Sequence, residues 1–174
     1  MQVKTAVLAD LATIQRLEQQ AVFDEFSATE LQQGISGDFF SELQLKQLLQ
    51  LQAIWLLEID AKAQGYLIMA PFSFHQSAPL YRELTRCCVA NDVLLDWHNL
   101  SVCGPVWLAA AARGTGAFKL LYSAAKAQVP GKVMALVAEH NERSLKAHCQ
   151  HANMQIVDFM TLAGRDFYLL QELA

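Results

Sequence analysis

The sequence has no cluster of lysine and arginine, and its formal net charge is -4. Binding to nucleic acid depends on a basic face that neutralises phosphates, so that class of partner is set aside. No apolar run approaches the roughly 20 residues needed to cross a bilayer, and no membrane partner is expected. The first residues, Met1 to Ala6, alternate polar and apolar side chains without an apolar stretch ending in a small-residue cleavage site, and a cytoplasmic location is expected. The cysteines Cys87, Cys88, Cys103 and Cys149 lack a disulfide spacing. Two of them are adjacent, a poor geometry for pairing with each other, so reduced thiols are expected. Neither a Walker phosphate loop nor a dinucleotide-binding glycine fingerprint is present. Charged residues make up only 17% against 53% hydrophobic, which excludes a disordered chain. The 174 residues suffice for one domain over 1–174 with a full core.

Periodicity then assigns the elements. Val3 to Leu8 alternates as a short strand, and Asp10 stands where a helix N-cap belongs, before Leu11, Ile14, Leu17 and Val22 at helical spacing. Ser27 to Phe40, broken by Gly34 and Gly37, suggests short helical turns. From Ser41, the residues Leu43, Leu45, Leu48, Leu49 and Leu51 predict an amphipathic helix. Ala53 to Ile59 and Gln64 to Ala70 predict a hairpin around the turn residues Asp60 to Ala63, closed by Pro71. Pro79 to Val89 is expected as a helix, and Val93 to His98 as a short strand or an irregular approach. Val102 to Leu108 is a strand that Gly104-Pro105 must bulge or interrupt. A helix over Gly116–Gln128, a strand over Val133–Ala138 buried on both faces, a helix over Ser144–His151, and strands over Met154–Thr161 and Phe167–Leu170 complete the order. The fold class expected is α+β, with parallel pairing at the centre of the sheet.

Two constellations carry chemistry. The strand Val106-Trp107-Leu108 leads to Arg113-Gly114-Thr115-Gly116, which opens directly into a helix. Glycines there let backbone approach a ligand, the first helical N–H groups and the dipole attract phosphate, and arginine adds a charge-assisted contact. One strand later, Asn141 and Ser144 are good caps for a helix that carries His148, and Asn153 suits the left-handed conformation that ends it. A zinc site on His148, Cys149 and His151 is not expected, because these side chains spread over more than one helix face and no second ligand pair exists.

Together these motifs resemble the GNAT superfamily of acetyl-CoA-dependent N-acetyltransferases. Arg113-Gly114-Thr115-Gly116-Ala117-Phe118 lies over that family's cofactor motif, with Phe118 where a small residue is preferred. Asn141, Ser144, His148 and Asn153-Met154 fit its last helix, where histidine replaces the usual tyrosine. The resemblance runs over nearly the whole chain and is thinnest between residues 72 and 100. It implies the GNAT fold: a mixed central sheet of six or seven strands, splayed between the fourth and fifth and flanked by helices. It further implies acetyl-CoA as co-substrate. Backbone groups of Val106, Trp107 and Leu108 would pair with pantetheine, and amides of residues 114 to 118 would cradle the pyrophosphate. Asn141 and Ser144 would face the cofactor from the other side. The activity implied is direct transfer of an acetyl group to a primary amine, of a small molecule by preference, in a ternary complex. The alternative is an acyl-CoA-binding protein without catalysis. His148 takes the place of the general acid, and Asp96, His98 and Glu58 are candidates for the base, with a water chain as the other source. Trp55, Trp97 and Phe74 are candidates to line the acceptor pocket, and homodimers are common in the family.

Overall fold

The computed structural model describes residues 1–25 and 40–173. The short helical turns expected over residues 27 to 40 lie, except for residue 40 itself, outside the described residues. The chain begins with β1 (Gln2–Thr5), a 3-10 turn (Leu8–Asp10) and α1 (Leu11–Glu25). It continues with α2 (Glu42–Gln50), β2 (Ile54–Ile59), β3 (Lys62–Pro71), α3 (Phe72–His75) and α4 (Pro79–Ala90). A 3-10 turn at Trp97–Asn99 leads into β4 (Leu100–Leu108), another at Ala110–Ala112 follows, and then come α5 (Ala117–Lys126) and β5 (Lys132–Ala138). The chain closes with α6 (Glu142–His151), β6 (Met154–Leu162) and β7 (Arg165–Glu172).

The seven strands form one sheet in the order β1-β2-β3-β4-β5-β7-β6. The pairings are antiparallel except β4 with β5. Alternation along the strands sends side chains to two cores. Trp55, Leu57, Leu67, Met69, Ala135 and Val137 face α5 and α6. Ile54, Leu56, Tyr66 and Ile68 face α1 and α2, and further along that side Leu100, Val102 and Met134 pack on Leu84 and Cys88 of α4.

The β4–β5 pair is short, and its shortness creates the site. Leu100, Ser101 and Val102 register with Lys132, Val133 and Met134, and the pairing ends there. Gly104 follows at φ 137, a conformation that side-chain-bearing residues rarely adopt, and Pro105 brings no N–H to a ladder. Past that point β4 stays with β3 as far as Gly65↔Leu108, after a register shift, while β5 pairs only with β7. A gap therefore opens between the second half of β4 and the second half of β5, as expected from Gly104-Pro105.

Several local expectations change. Asp10 does not cap α1: it ends the 3-10 turn, where its carboxylate accepts from Val7 N–H at 2.9 Å and from Lys4 Nζ at 3.0 Å. Ser41 does cap α2, in a reciprocal box with Gln44. Leu43 and Leu51 are 68% and 51% exposed, so the buried stripe of α2 is Leu45, Leu48 and Leu49. The hairpin turn is only Asp60-Ala61, both at positive φ, and β3 runs on through Pro71. Val93 to His98 is not a strand, and β4 begins at Leu100, two residues earlier than expected.

Candidate functional site

A cavity of about 380 Å³ lies over the gap, between the second half of β4, the N-terminus of α5 and one face of α6. That volume is in the range of small-ligand sites. Val106, Trp107 and Leu108 form one wall, Arg113, Gly114, Gly116, Ala117 and Phe118 the head, and Asn141, Ser144 and His148 the opposite wall. The two constellations found in the sequence therefore meet around one space. Thr115 is the exception: it does not line the cavity, and its hydroxyl donates back to Ala112 O at 2.8 Å.

The head of the cavity is built to receive an anion. Gly116 caps α5 at φ 84 and supplies no side-chain bond to the helix start. The amides of residues 114 to 119 have no backbone partner among the described residues, and the α5 dipole adds its positive end. Arg113 is pinned beside them: its Nε donates to Leu108 O at 2.8 Å and its guanidinium to Asp24 Oδ2 at 2.6 Å. The same oxygen of Asp24 accepts from Trp107 Nε1 at 2.8 Å. These two donors, Trp107 first, hold the Asp24 carboxyl below the usual carboxylate range.

Sequence reading missed the charge of the rim. Lys119, Arg143 and Lys146 join Arg113 around the cavity, and among the described residues no Asp or Glu lines it, in a chain that is acidic as a whole. The signal was available. Arg143, Ser144, Ala147, His148, Gln150 and His151 recur at helical spacing along one face of α6.

The opposite wall is ordered by α6. Asn141 caps the helix, its Oδ1 accepting from Ser144 N–H at 3.1 Å. His148 is 3% exposed, and its Nδ1 lies 2.8 Å from Ser144 O. A carbonyl can only accept, so Nδ1 carries the hydrogen and Nε2 presents its lone pair. That lone pair faces Cys103 Sγ at 3.8 Å, and the Phe118 ring stands edge-on at 4.9 Å between centroids. Burial lowers the basicity of His148 and outweighs the Ser144 bond, so the imidazolium that a general acid needs is disfavoured at neutral pH. Burial likewise pushes the Cys103 thiol up, away from thiolate.

The proposed bases are not brought here. Asp96 and His98 are exposed at the 3-10 turn before β4, and six steps of strand, roughly 20 Å, separate Leu100 from Val106. Glu58 faces a different cleft and is paired with Lys4 at 2.9 Å, which with Gln2 holds its carboxyl low. Trp55 is core beneath α5. Trp97 meets Phe72 at 4.5 Å between ring centroids with the planes tilted by 45°, and Phe74 lies on the α1 side of the sheet against Phe40 and His75. Among the described residues no group of three or more His, Cys, Asp or Glu could hold a metal ion, and no helix is long and apolar enough to cross a membrane.

No family model and no curated protein sequence matches the chain. Solved structures do. A ribosomal-protein-alanine N-acetyltransferase from Brucella melitensis is 17% identical, with all of both chains covered and a TM-score of 0.67. The yncA protein of Salmonella typhimurium, solved with its cofactor acetyl-CoA, is 16% identical over 98% of this chain and 92% of that one, with a TM-score of 0.67. A GNAT-family acetyltransferase from Streptococcus agalactiae is 13% identical over 99% and 95%, with a TM-score of 0.68. The likeness is one of architecture: the chain has the GNAT fold, with a seven-stranded mixed sheet and its parallel β4–β5 pair.

Proposed function

We propose that this chain is an N-acetyltransferase that takes acetyl-CoA as co-substrate and moves its acetyl group to a primary amine of a small molecule. The observation that carries this reading is the union of the unpartnered amides at the head of α5 with the parted strands β4 and β5. Acetyl-CoA is a long ligand with phosphates at one end and a thioester at the other. Its pyrophosphate fits the amides of residues 114 to 118 beside Arg113, and its remaining phosphate the cationic rim of Lys119, Arg143 and Lys146. Its pantetheine arm has amides spaced to pair with an open strand edge, which β4 offers at Val106, Trp107 and Leu108. The thioester then lies at the floor, near Cys103 and His148. Asn141 and Ser144 wall the arm from the other side.

Transfer is direct, within a ternary complex. The attacking nitrogen forms a bond to the thioester carbonyl, the C–S bond breaks, and backbone N–H groups of β4 on the gap side stabilise the oxyanion. The sequence placed proton donation to the departing sulfur on His148, but the neutral, Ser144-bound tautomer favours a role in shaping the sulfur end of the channel. The second reading, an acyl-CoA-binding protein without catalysis, draws on the same neutral His148. Calorimetry with acetyl-CoA, followed by a screen of primary amines for release of free CoA thiol, tests both. Binding with thiol release supports transfer, binding without it supports the second reading, and no binding removes both.

A further inference from the structure

The segment between β3 and β4, where the resemblance to the GNAT superfamily is thinnest, carries a second open groove, of about 980 Å³. It runs beside α4, which is amphipathic. Leu84 and Cys88 are buried on the inner side of that helix, in one cluster with Val102 and Met160. Arg82, Arg86 and Val89 recur at spacings of four and three on the outer side, and all three are exposed, Val89 at 72%. They line the groove together with Phe72 and the half-buried Trp97, whose rings meet at 4.5 Å between centroids. Neither arginine has an ion pair or a side-chain hydrogen bond among the described residues, in a chain with a net charge of -4. Glu83 is the one carboxylate in the lining among the described residues. Its Oε2 is already engaged, accepting the Ala163 N–H of the β6–β7 turn at 2.9 Å. The groove therefore combines two free guanidinium forks with an aromatic wall and an exposed valine, and arginine with tryptophan is the pairing that anchors protein interfaces.

We infer that this groove is a docking surface for an acidic segment of another protein, one that brings carboxylates to Arg82 and Arg86 and an apolar side chain to Trp97 and Val89. Charge selects the class of partner. A guanidinium takes a carboxylate through two parallel hydrogen bonds, and no carboxylate of the chain's own satisfies either arginine among the described residues. Two cations are too few for a nucleic-acid backbone, which recognition proteins meet with a broad basic face. Length selects a peptide over a small anion. Pro79 to Val89 spans ten residues of α4, about 15 Å of helix. An extended peptide covers that distance in four or five residues at about 3.3 Å each. A single carboxylate ion would occupy the arginines and leave Val89 and Trp97 uncovered, whereas a mixed acidic and apolar segment engages both. The groove shares no lining residue with the cofactor cavity and lies on the other side of the sheet from α5 and α6. Docking there does not depend on the function proposed above.

The test uses the full chain and a fluorescently labelled peptide of sequence Asp-Glu-Phe-Asp-Glu-Leu, capped at both ends so that it offers no amine. Its amide counterpart, Asn-Gln-Phe-Asn-Gln-Leu, is the control, and anisotropy reads both. The acidic peptide is expected to bind about tenfold more tightly at low salt, a preference that shrinks as ionic strength rises. Arg82→Glu combined with Arg86→Glu should abolish the preference with an undiminished Tm, because both side chains are exposed. Arg82→Lys combined with Arg86→Lys should keep part of it, since lysine retains the charge and loses the fork. Val89→Ser should weaken both peptides alike. An acidic peptide that binds no better than its amide counterpart overturns the inference, as does a preference that survives in the double glutamate variant. Vesicles of phosphatidylserine and phosphatidylcholine supply the last arm. Capture of the wild type by those vesicles, lost in the double glutamate variant and without any peptide preference, would assign the arginines to a lipid surface and overturn the inference as well.

Discussion

One oxygen of Asp24 holds both the Arg113 guanidinium, at 2.6 Å, and the Trp107 indole N–H, at 2.8 Å, and so ties α1 to the head of the cavity. The cation best placed for a phosphate is thus already committed to a half-exposed carboxylate. A phosphate must compete with that carboxylate or sit beside it. Asp24→Asn removes the competing charge and is expected to tighten acetyl-CoA about two- to fivefold at low salt, an advantage that fades as ionic strength rises. Arg113→Ala is expected to weaken binding about tenfold, or roughly 1.4 kcal/mol. Titration calorimetry at two salt concentrations reads both. An Asp24→Asn protein that binds more weakly than wild type would mean that Asp24 serves the site by orienting Arg113.

Stability should rise with pH from 5 and level off near 7, because buried groups of opposite kind oppose each other over that range. His75 is depressed to about 4 by burial and His148 is lowered for the same reason. Both are protonated more readily in the unfolded chain below its ordinary value of about 6.5. Their contribution is complete above that value and is lost as pH falls toward the folded-state values. Glu18 runs the other way. Its folded value of about 7 lies above the ordinary 4.5, so the folded state holds the extra proton and stability declines as pH rises between those values. The two histidine slopes outweigh the single carboxyl slope up to about pH 7, and above it neither kind leaves much slope. Chemical denaturation from pH 5 to 8 should show the rise and the plateau. In Glu18→Gln the rise should steepen, with a gain on the order of 3 kcal/mol at pH 8.

His148 is predicted to matter more for packing than for proton transfer. Its ring fills the space between Phe118, Cys103 and Ser144 O. His148→Ala should cost about 2–4 kcal/mol of stability, as removal of a large buried side chain does. It should lower turnover without changing the shape of the pH–rate profile. Loss of one limb of that profile in the variant would return proton donation to His148.

Architecture was legible in the sequence wherever pattern and punctuation agreed. Gly104-Pro105 announced a strand that could not pair through its middle, and the β4–β5 ladder ends two residues before it. Arg113 to Gly116 and Asn141 to His148 announced the two sides of the cavity, and they meet around it. Illegible were the properties that exist only once the chain is folded. Leu17-Glu18 fits the first helix of the resembling family, but nothing in the sequence marks Glu18 as buried; its burial exists only once α1 packs on β3 and β4. Asp96 and His98 suggested a base because they lie near a strand expected to line the acceptor cleft, but they sit at the turn before β4 begins and the gap opens further along it. Leu43 on α2 and Leu51 just past its end show the same limit, since both fit an apolar stripe by type and face solvent in the fold.

The cationic rim and the strand gap make separable contributions, and acetyl-CoA can be cut to separate them. Lys119, Arg143 and Lys146 line the end of the cavity proposed for the phosphates, whereas Val106 to Leu108 line the part proposed for the pantetheine arm. S-acetylpantetheine keeps the arm and thioester and lacks every phosphate. Lys119→Ala combined with Arg143→Ala should weaken acetyl-CoA about ten- to a hundredfold, the loss of two charge-assisted contacts. It should also reduce the salt dependence of binding. The same double variant should bind S-acetylpantetheine as the wild type does, because no charge on that ligand reaches the rim. Competition against a fluorescent CoA conjugate measures both affinities in one format. Equal losses for the two ligands would mean that the rim acts by shaping the channel, and the division of labour between charge and strand would then be wrong.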